Sequence, residues 1–248
     1  MNFKTNHMSE KYSVSPNGEK FPLPKPEDYK AEFENIKKRV KAERTKGREI
    51  VVVMGVGFVG AVMAAIVADT VDKKGKPSKF VIGMQRPSAR SFWKIPMLNR
   101  GISPVKAEDP EVDPMIARCV KEKKTLMATY TYDVLRLADV VVVDVQCDYI
   151  KEELGNVRAG QTDMAALEAS LGVIAEHIPA DALVLIETTV APGTTEQVAY
   201  PIMKKAFRKR GIETDPLLAH SYERVMPGPN YLASIRDFWR VCRGINEE

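Results

Sequence analysis

The sequence predicts an α/β fold in which helices cover both faces of one doubly wound parallel sheet. Short apolar runs alternate with helix-like segments along residues 48–248, and parallel strands need crossover connections that helices usually supply. A glycine-rich turn follows the first of these runs. Of the 248 residues 44% are hydrophobic, which suffices for a sizeable single core. We therefore expect one domain with an N-terminal helical extension.

The N-terminal extension is predicted to have two parts. Residues 1–25 are polar and rich in proline, so we expect a disordered or loosely docked leader. Residues 26–47 are predicted to form a helix, because apolar side chains recur every three or four positions from Tyr29 to Val40. Residues 48–248 then form the predicted main domain.

The elements of the main domain are predicted from β-branched runs, which indicate strands, alternating with amphipathic segments, which indicate helices. The clearest predicted strand begins with four consecutive valines at residues 140–143. The first predicted strand of the domain follows the extension and is a continuous β-branched run. Strands are expected at 50–54, 80–83, 126–129, 140–145, 183–187 and 217–219, with a further strand around Cys242. Helices are expected at 58–69, 110–122, 164–177 and 194–210. Five or six parallel strands in this length suit one doubly wound, Rossmann-like sheet.

The charge distribution argues against nucleic-acid and membrane partners. Residues 1–49 hold 12 Lys and Arg against 8 Asp and Glu, and the remaining residues hold 25 against 25. The net charge of +4 therefore lies in the extension, where interleaved acids indicate a solvated surface. No apolar run reaches membrane-spanning length and no secretory signal is visible. Three widely spaced cysteines, Cys119, Cys147 and Cys242, fit neither a zinc site nor a disulfide framework, so we expect a cytoplasmic protein without a metal.

The segment "GVGFVG" carries the clearest binding motif. Gly55 allows a sharp turn, Gly57 allows the backbone to approach a pyrophosphate, and Gly60 allows close packing of helix on strand. Phe58 and Val59 begin the helix, whose free N–H groups attract phosphate. Because a strand precedes the motif and a helix follows it, we predict a dinucleotide site. The alternative is a tight turn with no ligand.

The next strand tip lacks the acid that such sites usually carry. "FVIGMQRPSAR" places Gln85 and Arg86 where a carboxylate would hold the ribose hydroxyls of NAD. Gln85 can still form a hydrogen bond to a hydroxyl, and Arg86 and Arg90 lie near enough to accept a 2′-phosphate. The residues therefore leave NAD and NADP both open, and the arginines could equally face solvent.

A second strand–turn–helix junction follows in "ETTVAPGTTEQVA". Thr188 and Thr189 lie at the carboxyl end of a predicted strand, where open α/β sheets bind ligands. The segment "YERVMPG" then places Glu223 and Arg224 in a loop after the last predicted strand. Thr188 is a candidate cofactor contact. From the residues alone, Glu223 could simply pair with Arg224.

These segments, in this order, resemble the UDP-glucose/GDP-mannose dehydrogenase family of nucleotide-sugar dehydrogenases. The similarity rests on "GVGFVG", "ETTVAPGTT", "YERVMPG" and "WRVCRGI", and covers residues 48–245. The segments "GMQR" and "KIPMLNRGISP" resemble the branch that acts on UDP-N-acetylated hexosamines or their uronic acids. The stretch "TDMAAL" is similar to the "PDLSAL" segment of the family.

The resemblance implies a four-electron oxidation for surface polysaccharide precursors. The C6 alcohol of a nucleotide sugar becomes a carboxylate, two NAD are reduced, and a cysteine thioester is hydrolysed. Thr189 matches the threonine that positions the water, and Glu223 matches the glutamate that assists the hydrolysis as a base. The family's nucleophilic cysteine lies in a second, sugar-binding half. None of the three cysteines here fits that role, and "QCD" replaces the family's Thr-Pro at residues 146–148.

The chain is thus expected to be the cofactor half of such an enzyme, inactive alone. We expect a homo-oligomer or pairing with a C-terminal catalytic half, since an apolar seam should be exposed. The alternative is a catalytically silent dinucleotide-binding module that pairs with a full-length partner. A different Rossmann oxidoreductase, such as a hydroxyacid dehydrogenase, would have no reason to carry "TTVAPGTT" followed by "YERVMPG".

Overall fold

A seven-stranded sheet forms the centre of the protein in a computed structural model that describes residues 11–156 and 159–246. Its strand order is β11-β10-β9-β6-β3-β4-β5. The strands are β3 (Glu49–Met54), β4 (Lys79–Met84), β5 (Leu126–Thr129), β6 (Val140–Val143), β9 (Leu183–Ile186), β10 (Leu217–Ser221) and β11 (Cys242–Gly244). Six strands are parallel, and β11 pairs antiparallel with β10 at one edge.

The helices cover both faces of this sheet. They are α1 (Pro26–Arg44), α2 (Phe58–Asp69), α3 (Lys94–Asn99), α4 (Val112–Ala117), α5 (Ala165–His177), α6 (Tyr200–Lys209) and α7 (Tyr231–Arg236). Helices α1, α5 and α6 pack over one buried cluster, and α2, α3, α4 and α7 pack over the other. The central strands are apolar on both faces because each face meets a helical layer. The predicted doubly wound, Rossmann-like fold is confirmed.

The direction of winding reverses at the centre of the sheet. Strand β3 pairs with β4 on one side and with β6 on the other. The crossovers on the two sides run over opposite faces, so the carboxyl ends of these three strands open into a crevice. Such a switch point is where open α/β sheets bind ligands.

The N-terminal leader is more ordered than expected over the described residues. Strands β1 (Tyr12–Val14) and β2 (Lys20–Pro22) form an antiparallel hairpin, while residues 1–10 lie outside the described chain. The hairpin docks on α3: Phe21 is buried under the Arg100 guanidinium at 5.3 Å. Arg100 also pairs with Glu19 at 2.7 Å. These contacts to a folded body supply the stabilisation that the polar hairpin sequence lacks.

Several element boundaries differ from the prediction. The helix expected at 110–122 divides into α4 and a π-helical turn at Arg118–Glu122, and the helix expected at 194–210 divides into a π-helical turn at Thr195–Ala199 and α6. Strand β6 ends two residues earlier than predicted and β9 one residue earlier. Besides the N-terminal hairpin, the elements that were not predicted are α3, α7, a 3-10 helix at Tyr132–Leu137 and the hairpin of β7 (Asp148–Lys151) and β8 (Gly160–Asp163).

Within the described ranges, no helix combines the length and apolarity that a membrane crossing requires.

Candidate functional site

The glycine loop between β3 and α2 is shaped by two glycines that cannot carry a side chain. Gly55 has φ +96°, and a Cβ atom there would lie 2.6 Å from the Asp144 carbonyl oxygen. A Cβ atom on Gly60 would lie 1.8 Å from the Gly55 carbonyl oxygen. Gly57 differs, because a Cβ atom there would meet nothing within 4 Å. The first and third glycines therefore build the turn, while Gly57 faces open space.

The start of α2 is fixed by α7. Gly57 is the N-cap residue, so the amides of Phe58 and Val59 belong to the first turn and lack intrahelical acceptors. The Phe58 ring stacks on Tyr231 with centroids 4.7 Å apart, and the Tyr231 hydroxyl donates to the Phe58 carbonyl oxygen. These contacts hold the helix terminus, with its partial positive charge, towards the crevice.

A cleft of about 500 Å³ opens beside the glycine loop. It brings together four of the predicted cofactor residues, namely Gly55, Gly57, Gln85 and Arg86. Of the residues that the structure describes, Phe58, Val59, Gly60 and Thr188 do not line this cleft. Val145, Gln146, Tyr132 and the α5 face from Ala166 to Val173 complete its walls. Its position is the switch point of the sheet.

Gln85 braces the glycine loop from the tip of β4. Its Oε1 accepts from the Val56 amide at 3.1 Å, and its Nε2 donates to the Ser91 hydroxyl at 3.4 Å. Val56 is itself buried against Gly83 of β4, where a Cβ atom would come within 2.6 Å of the Val56 side chain. One lone pair of the Gln85 side-chain oxygen is therefore used within the protein, and the other is left for a ligand.

Two cations lie beside Gln85 in the cleft wall. Arg86 is exposed, and Lys94, the first residue of α3, is half-buried. Burial lowers the pKa of Lys94 below its usual value. Arg90 is exposed and does not line the cleft, so the structure separates it from Arg86.

Three carboxyl groups gather at the other side of the switch point. Asp144 follows β6 beneath the glycine loop, and burial raises its pKa to about 8, with Glu187 and Glu223 adding to the effect. Glu187 follows β9 and is buried in an ion pair with Arg240 at 2.9 Å. Burial also raises the pKa of Glu187, although Arg240 opposes that shift. This side of the switch point is therefore crowded with acids that one arginine compensates only in part.

The two predicted catalytic residues occupy different settings. Thr189 is exposed at the carboxyl end of β9, whereas its neighbour Thr188 is buried. The Thr188 hydroxyl lies 2.7 Å from the Val145 carbonyl oxygen and 3.2 Å from that of Val143, so it braces β9 against β6. Glu223 is partly buried, and its carboxylate accepts from the Val225 amide. Among the described residues, Glu223 forms no ion pair with Arg224, whose guanidinium lies over the Phe238 ring.

Four features of the site were not predicted from the sequence, namely Asp144, Lys94, Tyr231 and the Glu187–Arg240 pair. An acid directly after a four-valine strand was a readable signal for Asp144, because that position falls at the ligand edge. The other three depend on contacts between distant segments and had no local signal. In the described part of the chain, no three His, Cys, Asp or Glu side chains are arranged to hold a metal ion.

The fold and the cleft together define a Rossmann-type dinucleotide-binding domain. Residues 49–247 match the model of the UDP-glucose/GDP-mannose dehydrogenase family, NAD binding domain. The chain therefore belongs to this family of NAD-dependent nucleotide-sugar dehydrogenases. The resemblance inferred from the motifs is confirmed, as is NAD as the cofactor of the family.

Individual relatives support this assignment. The chain is 26% identical to a UDP-N-acetyl-D-mannosamine dehydrogenase of Pyrococcus horikoshii over 198 residues, which are 80% of this chain and 41% of that protein. It is similar to the crystal structure of an NDP-N-acetyl-D-galactosaminuronic acid dehydrogenase from Methanosarcina mazei, with a TM-score of 0.69 and 31% identity over 85% of this chain and 41% of that one. A structure of a UDP-D-ManNAc dehydrogenase from Pyrococcus horikoshii has a TM-score of 0.62 and 26% identity to this chain. The match covers 80% of this chain and 41% of that one. The chain thus spans about two fifths of these relatives' length.

Proposed function

We propose that this chain is the cofactor-binding part of a nucleotide-sugar 6-dehydrogenase. The activity would oxidise the C6 alcohol of a UDP-linked, N-acetylated hexosamine to a uronic acid, for surface polysaccharide precursors, with two NAD. The observation that carries the proposal is the cleft in which Gly55, Gly57 and Gln85 meet at the switch point. The names of the relatives, which act on N-acetylated sugars, support the substrate class.

The glycine loop suits a pyrophosphate for a steric and an electrostatic reason. Open space in front of Gly57 lets a phosphate oxygen approach the main chain. The first amides of α2 supply donors and a partial positive charge at the same place. NAD, when bound, would accept hydride from C6 of the sugar. Gly55, Gly57, Phe58, Val59, Gly60, Gln85, Arg86 and Thr188 are proposed to form or support this site.

Thr189 and Glu223 are proposed to serve the hydrolytic step. Thr189 offers an exposed hydroxyl at the ligand edge of β9, where it could orient a water molecule. Glu223 lies in the loop after β10, close enough to Asp144 and Glu187 to raise the pKa of both. A carboxylate in such surroundings is suited to accept a proton from that water.

The rest of the active unit is proposed to cover the C-terminal surface of this domain. The segment after β10 exposes large apolar side chains, with Trp239 exposed by 92% and Val241 by 77%. Tyr222, Met226 and Phe238 add to the same stretch. Contiguous apolar surface of this kind fits a protein interface. We propose that a sugar-binding half, in a homo-oligomer or as a separate piece, packs there. A second candidate, favoured by the same surface, is a silent module that binds the dinucleotide and pairs with a full-length partner.

The binding part of the proposal can be tested with Gly57→Ala. An added methyl group meets no protein atom, and the φ of −82° suits alanine, so the variant should fold. The methyl group would nevertheless stand where the pyrophosphate approaches. We expect NADH affinity, measured by fluorescence titration, to fall by about tenfold or more. Gly172→Ala, in α5, is the matched control because its added methyl group also meets nothing within 4 Å. Unchanged NADH affinity in Gly57→Ala would contradict the assignment of the loop.

The catalytic part requires the complementary half. Mixing this chain with a sugar-binding half of the same family should give NAD reduction with the UDP-sugar, and Thr189→Ala or Glu223→Gln should lower kcat by roughly 10²–10⁴. If the mixture is active and both variants retain full rate, the catalytic roles are wrong. Steady NAD reduction by this chain alone would contradict its dependence on a second half.

A further inference from the structure

We infer that Asp144 takes part in dinucleotide binding as a neutral carboxylic acid, so that binding of the cofactor is coupled to the uptake of a proton by this residue. The inference rests on the proposed dinucleotide site and assigns a binding role to a residue outside the glycine motif. Three features of the structure carry it, namely the place of Asp144 under the glycine loop, the lack of a partner for its carboxyl group, and the acids around it.

Asp144 lies directly beneath the glycine loop. It lines the cleft just after β6, and a Cβ atom on Gly55 would come within 2.6 Å of its carbonyl oxygen. A Cβ atom on Gly60 would lie 3.2 Å from the Asp144 Cβ atom, so the side chain starts against the first turn of α2. This turn and the open space at Gly57 are where the diphosphate of the cofactor is proposed to bind. A charge on Asp144 would therefore act on the ligand.

The carboxyl group of Asp144 lacks any group that would stabilise a negative charge. Its Oδ2 atom is shielded from solvent and has no hydrogen-bond partner among the described residues. None of the ion pairs in that part of the chain includes Asp144. By contrast, Glu187 pairs with Arg240 at 2.9 Å, and Glu223 accepts from a backbone amide. Because a buried carboxylate without a donor or a cation is costly, Asp144 is the acid of this group that keeps its proton.

The charged groups that face Asp144 favour the same state. Burial is the main cause that raises the pKa of Asp144 to about 8, and the charges of Glu187 after β9 and Glu223 after β10 add to it. Arg240, which precedes β11, opposes the shift. From α7, Tyr231 faces the same carboxyl, and burial together with the charges of Asp144 and Glu223 raises the pKa of its phenol. The glycine loop and the first turn of α2 contain no titratable side chain.

Ionisation of Asp144 would weaken cofactor binding. The diphosphate of NAD is an anion, and a carboxylate beneath it would repel it across a space that solvent does not screen. A neutral Asp144 leaves the partial positive charge of the α2 terminus to the ligand. A bound diphosphate must then raise the pKa of Asp144 above its value in the free protein. The affinity is therefore greatest below pH 8 and falls as pH rises beyond the pKa of about 8 in the free protein.

Titration of the whole chain with NADH at pH 6.5, 8 and 9 tests the inference. We expect the affinity to fall by about fivefold or more between pH 6.5 and pH 9. Calorimetry at pH 8.5 in buffers of different ionisation enthalpy should show the uptake of roughly half a proton per NADH. Asp144→Asn, which keeps the shape and stays neutral, should lose both effects. Asp181→Asn is the matched control, because it changes an exposed carboxyl before β9, and it should keep both.

Two further variants identify the group that titrates. Lys94, in the wall of the same cleft, has a pKa lowered by burial and could also take up a proton when an anion binds. Proton uptake that persists in Asp144→Asn and disappears in Lys94→Met would therefore overturn the inference. Arg86, also in the wall, stays charged throughout this range. Glu223→Gln removes a negative charge beside Asp144, so its loss of affinity should begin at a lower pH than in the unchanged chain.

The dinucleotide site can stand even if the role of Asp144 is wrong. NADH binding that is independent of pH in the unchanged chain, or that takes up no proton at pH 8.5, would overturn this inference and leave the site intact. Failure to bind NADH at all three pH values would overturn the proposed function together with it.

Discussion

Replacing Asp144 by asparagine should change how the stability of this protein depends on pH. Asp144 Oδ2 is shielded from solvent and has no hydrogen-bond partner in the described part of the chain. Burial, together with the charges of Glu187 and Glu223 and against the opposing effect of Arg240, raises the pKa of this carboxyl to about 8. Asparagine keeps the shape of the side chain and removes its titration.

The sign of the effect follows from proton binding in the two states. The folded protein holds the Asp144 proton up to about pH 8, whereas the unfolded chain releases it near pH 4. Between these values the folded state binds more protons, so the free energy of unfolding falls as pH rises. The free energy of unfolding can fall by at most about 1.4 kcal/mol per pH unit, or about 4 kcal/mol from pH 5 to pH 8. Because Asp144 interacts with Glu187, whose pKa is also raised, and with the Arg240 cation, we expect about half of this limit, about 2 kcal/mol.

Urea denaturation at pH 5, 6.5 and 8 measures this difference. From pH 5 to pH 8, the free energy of unfolding of Asp144→Asn should gain about 2 kcal/mol relative to that of the unchanged chain. Asp181→Asn, which alters an exposed carboxyl before β9, serves as the control and should run parallel to the unchanged chain. If Asp144→Asn also ran parallel, Asp144 would be ionised in the folded protein and the account of the carboxyl cluster would be wrong.

Three other predictions concern how the domain is held together. Arg240→Ala leaves Glu187 buried without its cation and should cost about 3–5 kcal/mol in urea denaturation, and adding Glu187→Gln should recover part of that loss. Phe21→Ala should release the N-terminal hairpin, with a cost of about 3 kcal/mol and faster amide hydrogen exchange there, whereas Tyr12→Ala, at an exposed position, should not. Glu43 is fully buried and contacts three cations, so Glu43→Ala should lower the free energy of unfolding by about 3–5 kcal/mol; a loss below 1 kcal/mol would contradict its role as the anchor of α1.

The centre of the sheet could be predicted from the sequence because the composition of each of its strands is a local signal. Strands β3 and β6 are continuous β-branched runs, and buried parallel strands need that composition on both faces. The glycine loop was equally predictable, since Gly55 and Gly60 stand where a Cβ atom would clash with the backbone, and Gly57 leaves open space for a ligand. The hairpin of β7 and β8 could not be predicted in this way, because its strands are largely exposed and carry no alternation of apolar and polar residues.

The polar contacts of the site were not predictable for a different reason. Gln85 and Val56 are separated by 29 residues, and Arg240 and Glu187 by 53. Such pairs depend on the register of neighbouring strands and on the path of the loops that follow them. The burial of Asp144 is harder to predict, because charged side chains usually lie at the protein surface. Its shielding results from the glycine loop folding over it, which the sequence expresses only through Gly55 and Gly60.

The N-terminal extension contacts the wall of the cleft as well as the sheet face that α1 covers. The Trp93 amide donates to the Ser13 hydroxyl at 3.0 Å, next to Lys94 in the cleft wall. Thr129, at the tip of β5, donates to Glu32 of α1 at 2.8 Å. The region that matches the family begins only at residue 49, so these contacts come from outside it. The segment from Gln85 to Lys94 in the cleft wall is thus contacted by the extension at Trp93, and its geometry depends on residues that the family motifs do not include.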